Sequence, residues 1–197
     1  MKDSKKSYKS AVNPFFMESV ENGTDTSRLE YPGRGEEIYF DARQVLVRTC
    51  HDALVSHPNE RGEKGILLIR RKAQPAQGYL WPLGGFVNRG VSLEDSFYSR
   101  IKEESGLEID KESLTCLGFA RMMWKNTPHK NPGAKKLPQG IDDAALLFYC
   151  EGNVKISLDK LHEMPTIVTP EMYQKSFREK LHPYVRMGMD RAIKLIG

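Results

Sequence analysis

Apolar and polar positions along the chain follow two rhythms, one of strands and one of helices. Residues 65–71 (Gly-Ile-Leu-Leu-Ile-Arg-Arg) form an unbroken apolar run of strand length, which predicts a central strand buried on both faces. Residues 50–56 predict a second strand, preceded by a short segment ending in Gln44-Val-Leu-Val-Arg-Thr and joined to the first by a polar turn over 58–65. Residues 115–124, 144–150 and 166–168 read as further strands. The rhythm changes after Ser92. There Leu93, Phe97 and Ile101 recur at i, i+4 and i+8 as the buried stripe of an amphipathic helix. Ser92 with Asp95 makes a capping-box-like start, and Gly106 a C-terminal stop. Pro170 opens another helix with Thr169 as N-cap. A last helix is predicted over 183–196, with Val185, Met189, Ala192 and Ile196 on one face. Strands and helices interleave, and the helices are too few to cover a long parallel sheet. The expectation is an α/β fold with a mixed sheet between helices.

Residues 1–35, rich in Lys, Ser, Asn, Thr and Gly and without periodicity, are read as a tail or an oligomer arm, compatible with a homodimer. Residues 36–197 are then one domain. Residues 125–140, rich in Pro, Lys, Asn and Gly, make a long loop of the kind that is often functional.

Composition narrows the partners. At 39% hydrophobic and 28% charged, the 197-residue chain is an ordinary globular protein. A net charge of +4 suits an anionic small-molecule substrate, and is too small and dispersed to argue for nucleic acid. Cys50, Cys116 and Cys150 are odd in number and lack a C-x-x-C pair, which argues against disulfides and structural zinc. No apolar run reaches the length of a membrane span. The expected location is the cytoplasm.

The chemistry concentrates between Trp81 and Leu107. Gly84 and Gly85 mark a sharp turn or a close approach to a ligand. Glu103 and Glu104 occupy the last turn of the helix, where the macrodipole disfavours negative charge, so a compensating cation is expected. Arg100 stands three and four residues before these acids, at the spacing where helix side chains meet, and could itself be that cation as an exposed ion pair.

Gly85, Ile101, Glu103-Glu104 and Gly106-Leu107 resemble the Nudix box: Gly, any five, Glu, any seven, Arg-Glu-aliphatic, any one, Glu-Glu, any one, Gly-aliphatic. The similarity extends over roughly residues 40–175. It implies a Nudix fold, an α/β/α sandwich around a mixed sheet with the box as loop–helix–loop. It also implies Mg²⁺ or Mn²⁺ held by Glu103, Glu104 and the backbone of Gly84. Three positions depart from the pattern: Val91 and Arg100 replace glutamates, and Ser99 replaces the arginine. Residues 70–79 are similar to GDP-mannose mannosyl hydrolases. That likeness implies a diphosphate contact at Arg71, a metal-binding Glu104 and a carbonyl ligand at Gly84. The Gln-His pair of those enzymes falls on Lys125 and Asn126, leaving His129 of the same loop as a general-base candidate. Glu103, Glu104 and His129 are thus the catalytic candidates, with Arg71, Gly85, Trp124 and Lys125 as substrate contacts. Two functions remain open. One is a divergent, Mg²⁺-assisted hydrolase of a nucleoside diphosphate linked to another moiety, such as a nucleotide sugar. The other is a silent Nudix domain that binds a nucleotide-like ligand or a protein.

Overall fold

The computed structural model describes residues 46–73, 75–124, 141–153 and 155–196. The expectations for residues 1–35, for the start of structure at 36 and for the 125–140 loop with Lys125, Asn126 and His129 lie outside the described residues.

Strand β1 (Val47–Pro58) unites the two segments expected before the first turn. Its turn into β2 (Lys64–Arg71) is built by Asn59, whose side-chain oxygen accepts from the amides of Arg61 and Glu63 at 2.9 and 3.0 Å. β3 (Leu80–Trp81) and β4 (Leu83–Phe86) follow, separated by Pro82. β5 (Ile109–Trp124) and β6 (Ile141–Gly152) are the longest later strands, and β7 (His162–Val168) is the last. The sheet runs in the order β3-β2-β1-β6-β5, with β4 added to β1 and β7 to β2. β6 lies parallel to β1, from Val47 opposite Asp142 to Ser56 opposite Glu151, whereas the other pairings are antiparallel. The mixed sheet of the expected α/β fold is therefore present, with β1 near its centre.

Continuous apolar strands need a cover on both faces, and two layers supply it. On one side α1 (Leu93–Ser105) packs Leu93, Phe97 and Ile101 onto Ala53, Val55, Leu67, Ile69 and Phe148. Phe97 is 1% exposed, and its truncation to Ala would cost about 3–5 kcal/mol. On the other side Val185, Met189 and Ala192 of α3 (Pro183–Ala192) cover Leu54, Ile66, Leu68 and Leu147.

The ends of α1 follow the expected chemistry. The Ser92 hydroxyl accepts from the Asp95 amide at 3.0 Å and donates to the Asp95 carboxylate at 2.8 Å. Gly106, at φ +69°, returns its amide to the Lys102 carbonyl and stops the helix. Other boundaries differ from expectation. The last helix ends at Ala192 rather than at residue 196, although Ile193 and Ile196 still pack on the core. β5 begins at Ile109 and β7 at His162, each earlier than the apolar pattern indicates, because strand pairing continues through polar residues. The Thr169-capped helix is a single α turn, α2 (Pro170–Met172), which widens into a π turn at Tyr173–Phe177 and ends as a 3-10 turn at Arg178–Lys180.

Candidate functional site

Gly84 is where β4 presses hardest on β1. It lies opposite Asp52, at φ +143°, and a side chain there would run into the His51 carbonyl and come within 2.6 Å of Asp52 Oδ1. Only glycine tolerates both the angle and the approach. The close fit leaves the Gly84 amide facing the C-terminal turn of α1, where Glu104 Oε2 accepts its hydrogen bond at 2.8 Å.

The two adjacent acids have different surroundings. Glu104 is 3% exposed, and burial pushes its pKa up to about 8, while the Gly84 amide and the charges of Arg100 and Arg71 pull the other way. The Glu103 side chain is 59% exposed and pairs with Arg100 Nη1 at 3.0 Å. Arg100 is not the exposed partner that its helix position suggests. Its side chain is 7% exposed, its Nη2 donates to Asn88 Oδ1 at 3.2 Å, and its guanidinium carbon lies 5.4 Å from the centroid of the Phe86 ring. Arg100 Nε is buried without an acceptor, and a side chain at Gly85 would begin 3.6 Å from it. The guanidinium thus lies over the glycine turn.

As arranged, these donors do not suit a divalent cation. Mg²⁺ wants ionised carboxylates and room for water in a near-octahedral shell. Glu104 is buried and bonded to an amide; Glu103 faces a guanidinium; and the Gly84 contribution on view is an N–H donor. Among the described residues no three His, Cys, Asp or Glu side chains group around a common point.

Arg71, at the end of β2, also sends its charge towards Glu104 and towards Asp52, and its Nε is buried without an acceptor. Asp52 is 5% exposed, and burial pushes its pKa up to about 7, against the Tyr184 hydroxyl that donates to it at 2.7 Å. Trp124 belongs to an aromatic group with Trp81 and His182 at ring separations of 5.7 and 5.5 Å. That group reaches Asp52 through Tyr184, whose ring is 5.2 Å from Trp81. The structure therefore gathers Gly84, Gly85, Glu103, Glu104 and the charge of Arg71 at one place, with Trp124 in the aromatic group that reaches Asp52.

Sequence reasoning did not anticipate His51, Asp52, Ser96 and Asn88. Two polar residues inside an apolar strand, His51 and Asp52, are a readable signal of a buried network. Ser96 and Asn88 carry no such signal. His51 is fully buried, its ring meets Phe97 edge-on at 5.5 Å, and burial lowers its pKa to about 4.

No protein-family model matches the chain, and no curated protein matches it. Solved structures do. A MutT protein from Methanosarcina mazei Go1 aligns at 21% identity with a TM-score of 0.52, covering 76% of this chain and 94% of that one. A MutT NUDIX hydrolase from Burkholderia pseudomallei aligns at 18% identity with a TM-score of 0.50, over 74% and 97%. The fold is that of the MutT/Nudix proteins. A bifunctional NMN adenylyltransferase/ADP ribose pyrophosphatase from Francisella tularensis, complexed with AMP and a manganese ion, also shares this Nudix fold. It aligns at 14% identity with a TM-score of 0.50 over 77% of this chain, which spans only 42% of that protein. Among the described residues no helix is long and apolar enough to cross a membrane.

Proposed function

We propose that the chain is a divergent Nudix protein that binds a nucleoside diphosphate derivative over the Gly84–Gly85 turn, with Arg71 and Arg100 as the phosphate contacts. One observation carries this reading. Two guanidinium groups, each with a buried and unpaired Nε–H, direct their charge at the same carboxyl group beside a glycine turn. A buried donor without an acceptor is unfavourable by about 1–3 kcal/mol, and the positive charge of both groups favours an anionic ligand beside the turn. Guanidinium is well shaped for that role, being planar, always charged and able to meet two oxygens at once. The AMP complex of the Francisella tularensis neighbour is in keeping with a nucleotide-type ligand.

The test is calorimetric titration of the full chain with nucleoside diphosphate derivatives, among them ADP-ribose and nucleotide sugars, in EDTA and again with Mg²⁺. Binding that weakens in Arg71→Ala and in Arg100→Ala supports the reading. Binding indifferent to both substitutions contradicts it.

A second reading keeps the hydrolase. Glu103 is exposed on the rim, and its only restraint among the described residues is the ion pair with Arg100. Mg²⁺ or Mn²⁺ arriving with a diphosphate would have to displace that pair, and Glu103 and Glu104 would then hold the ion. Product release that requires Mg²⁺ and disappears in Glu104→Gln would favour this alternative.

A further inference from the structure

We infer that His51, Ser96 and Asn88 are positioning residues that lock the Arg100 guanidinium over Gly85, making it the site's fixed cation and letting a diphosphate group bind without a divalent ion. The inference rests on the reading of the site as a diphosphate site and specifies where its positive charge comes from.

Arginine is long and flexible, and at the surface its head group would be solvated and mobile. Arg100 is restrained at three points: by Glu103 at 3.0 Å, by Asn88 Oδ1 at 3.2 Å and by the face of Phe86. Asn88 belongs to the connection between β4 and α1 and is itself anchored. Its backbone amide donates to Ser96 Oγ at 2.8 Å, one turn into α1. Ser96 Oγ in turn lies 2.9 Å from His51 Nε2, in the middle of β1. Ser96 and His51 are both fully buried. A continuous line of hydrogen bonds therefore runs from the sheet, through the helix and the loop, to the guanidinium.

A hydroxyl and an imidazole sealed in an apolar layer are unfavourable unless hydrogen-bonded, and Ser96 Oγ and His51 Nε2 satisfy each other while His51 Nδ1 is left without a partner. The apolar contacts that hold α1 on the sheet come from Leu93, Phe97 and Ile101. What the polar pair adds is a fixed position for the Asn88 amide, and hence for the Asn88 side-chain carbonyl that grips Arg100. The remaining N–H, Arg100 Nε, is buried against Gly85 without an acceptor, 3.6 Å from where a Cβ would begin, so that only glycine lets the guanidinium lie this close to the turn without a side chain between them. Arg71 Nε is buried without an acceptor in the same way. The fixed charge of Arg100, joined by that of Arg71, attracts a diphosphate and repels a free divalent cation.

The experiment uses the full chain and two probes, inorganic pyrophosphate by calorimetry and Mn²⁺ alone by electron paramagnetic resonance. Wild type is expected to bind pyrophosphate equally in EDTA and to take up no Mn²⁺. Asn88→Ala, which frees the guanidinium, should weaken pyrophosphate about tenfold, the effect of one charged hydrogen bond, and admit Mn²⁺. Asn88→Gln keeps a neutral amide acceptor and should restore both behaviours. Should Asn88→Ala fail to fold, Arg100→Lys serves, because a single ammonium cannot reach Glu103 and Asn88 together and should lose pyrophosphate to a similar extent. Pyrophosphate binding that requires Mn²⁺ in wild type overturns the inference while sparing the diphosphate site. Absence of pyrophosphate binding with and without Mn²⁺ overturns the site reading itself. Wild-type affinity in Asn88→Ala or Arg100→Lys overturns the positioning role.

Discussion

Replacing Glu104 by glutamine should make the protein more stable at alkaline pH and change little in acid. The Glu104 carboxyl is buried beside the Gly84 amide, and its pKa is raised from the ordinary 4.5 to about 8. In the unfolded chain the same group loses its proton near its ordinary pKa. Between these two values the unfolded state has released a proton that the folded state retains. Stability attributable to Glu104 is therefore complete below pH 4.5 and falls as pH rises, by about 1.4 kcal/mol per pH unit, until the folded pKa is passed. Summed over the window, the loss is of the order of a few kcal/mol. The glutamine side chain keeps an oxygen for the Gly84 amide and cannot ionise, so the variant escapes the loss. Asp52, raised to about 7, has the same sign, and His51, lowered to about 4, the opposite sign below pH 6.5, but both are common to the two proteins. The difference between variant and wild type thus isolates Glu104. Urea denaturation at about pH 5 to 8.5 measures it, spanning the window in which the folded and unfolded states differ in protonation. Parallel stability curves, or a variant that is less stable than wild type at the alkaline end, would show that Glu104 is an ionised acid held by the arginine charges, and the reasoning would fail.

The remaining predictions concern the neighbours of Glu104. Arg100→Glu places a third acid beside Glu103 and Glu104, so the variant should melt lower than wild type without metal, regain stability in Mn²⁺, and bind Mn²⁺ by calorimetry; unchanged metal binding would mean that Arg100 does not hold the cation's place. Gly84→Ala forces a methyl group against the His51 carbonyl and Asp52, at a φ that disfavours side chains, and should cost several kcal/mol or prevent folding, as read by denaturation. Arg71→Lys keeps the charge and loses the planar fork, and should weaken pyrophosphate about tenfold with little change in stability, a ratio that calorimetry and melting together determine.

Much of the fold is legible in the sequence because its signals are local. Leu93, Phe97 and Ile101 repeat at helical spacing, Ser92 and Gly106 bound the helix, and the runs around Ile66 to Ile69 and Leu146 to Cys150 are too apolar to be anything but buried. Boundaries are less legible where packing outlasts geometry. Ile193 and Ile196 touch the core after α3 has ended, so their apolar character does not distinguish helix from turn. The polar start of β5 is a strand only because β6 pairs with it. At the site, the spacing of Arg100 and Glu103 announces their ion pair, but not that one partner is buried and the other exposed. That asymmetry comes from Phe86 and Asn88 closing over the guanidinium, which are contacts between separate elements. The His51–Ser96 bond is likewise set by how α1 crosses β1, and no periodicity encodes it.

Arg100 is proposed as the fixed cation of this Nudix-fold site. Titration of wild type with a nucleoside diphosphate in EDTA tests it most directly. The expected result is binding that persists in the chelator and is lost in Arg100→Ala. Binding that appears only when Mg²⁺ or Mn²⁺ is restored, and that survives in Arg100→Ala, would contradict it.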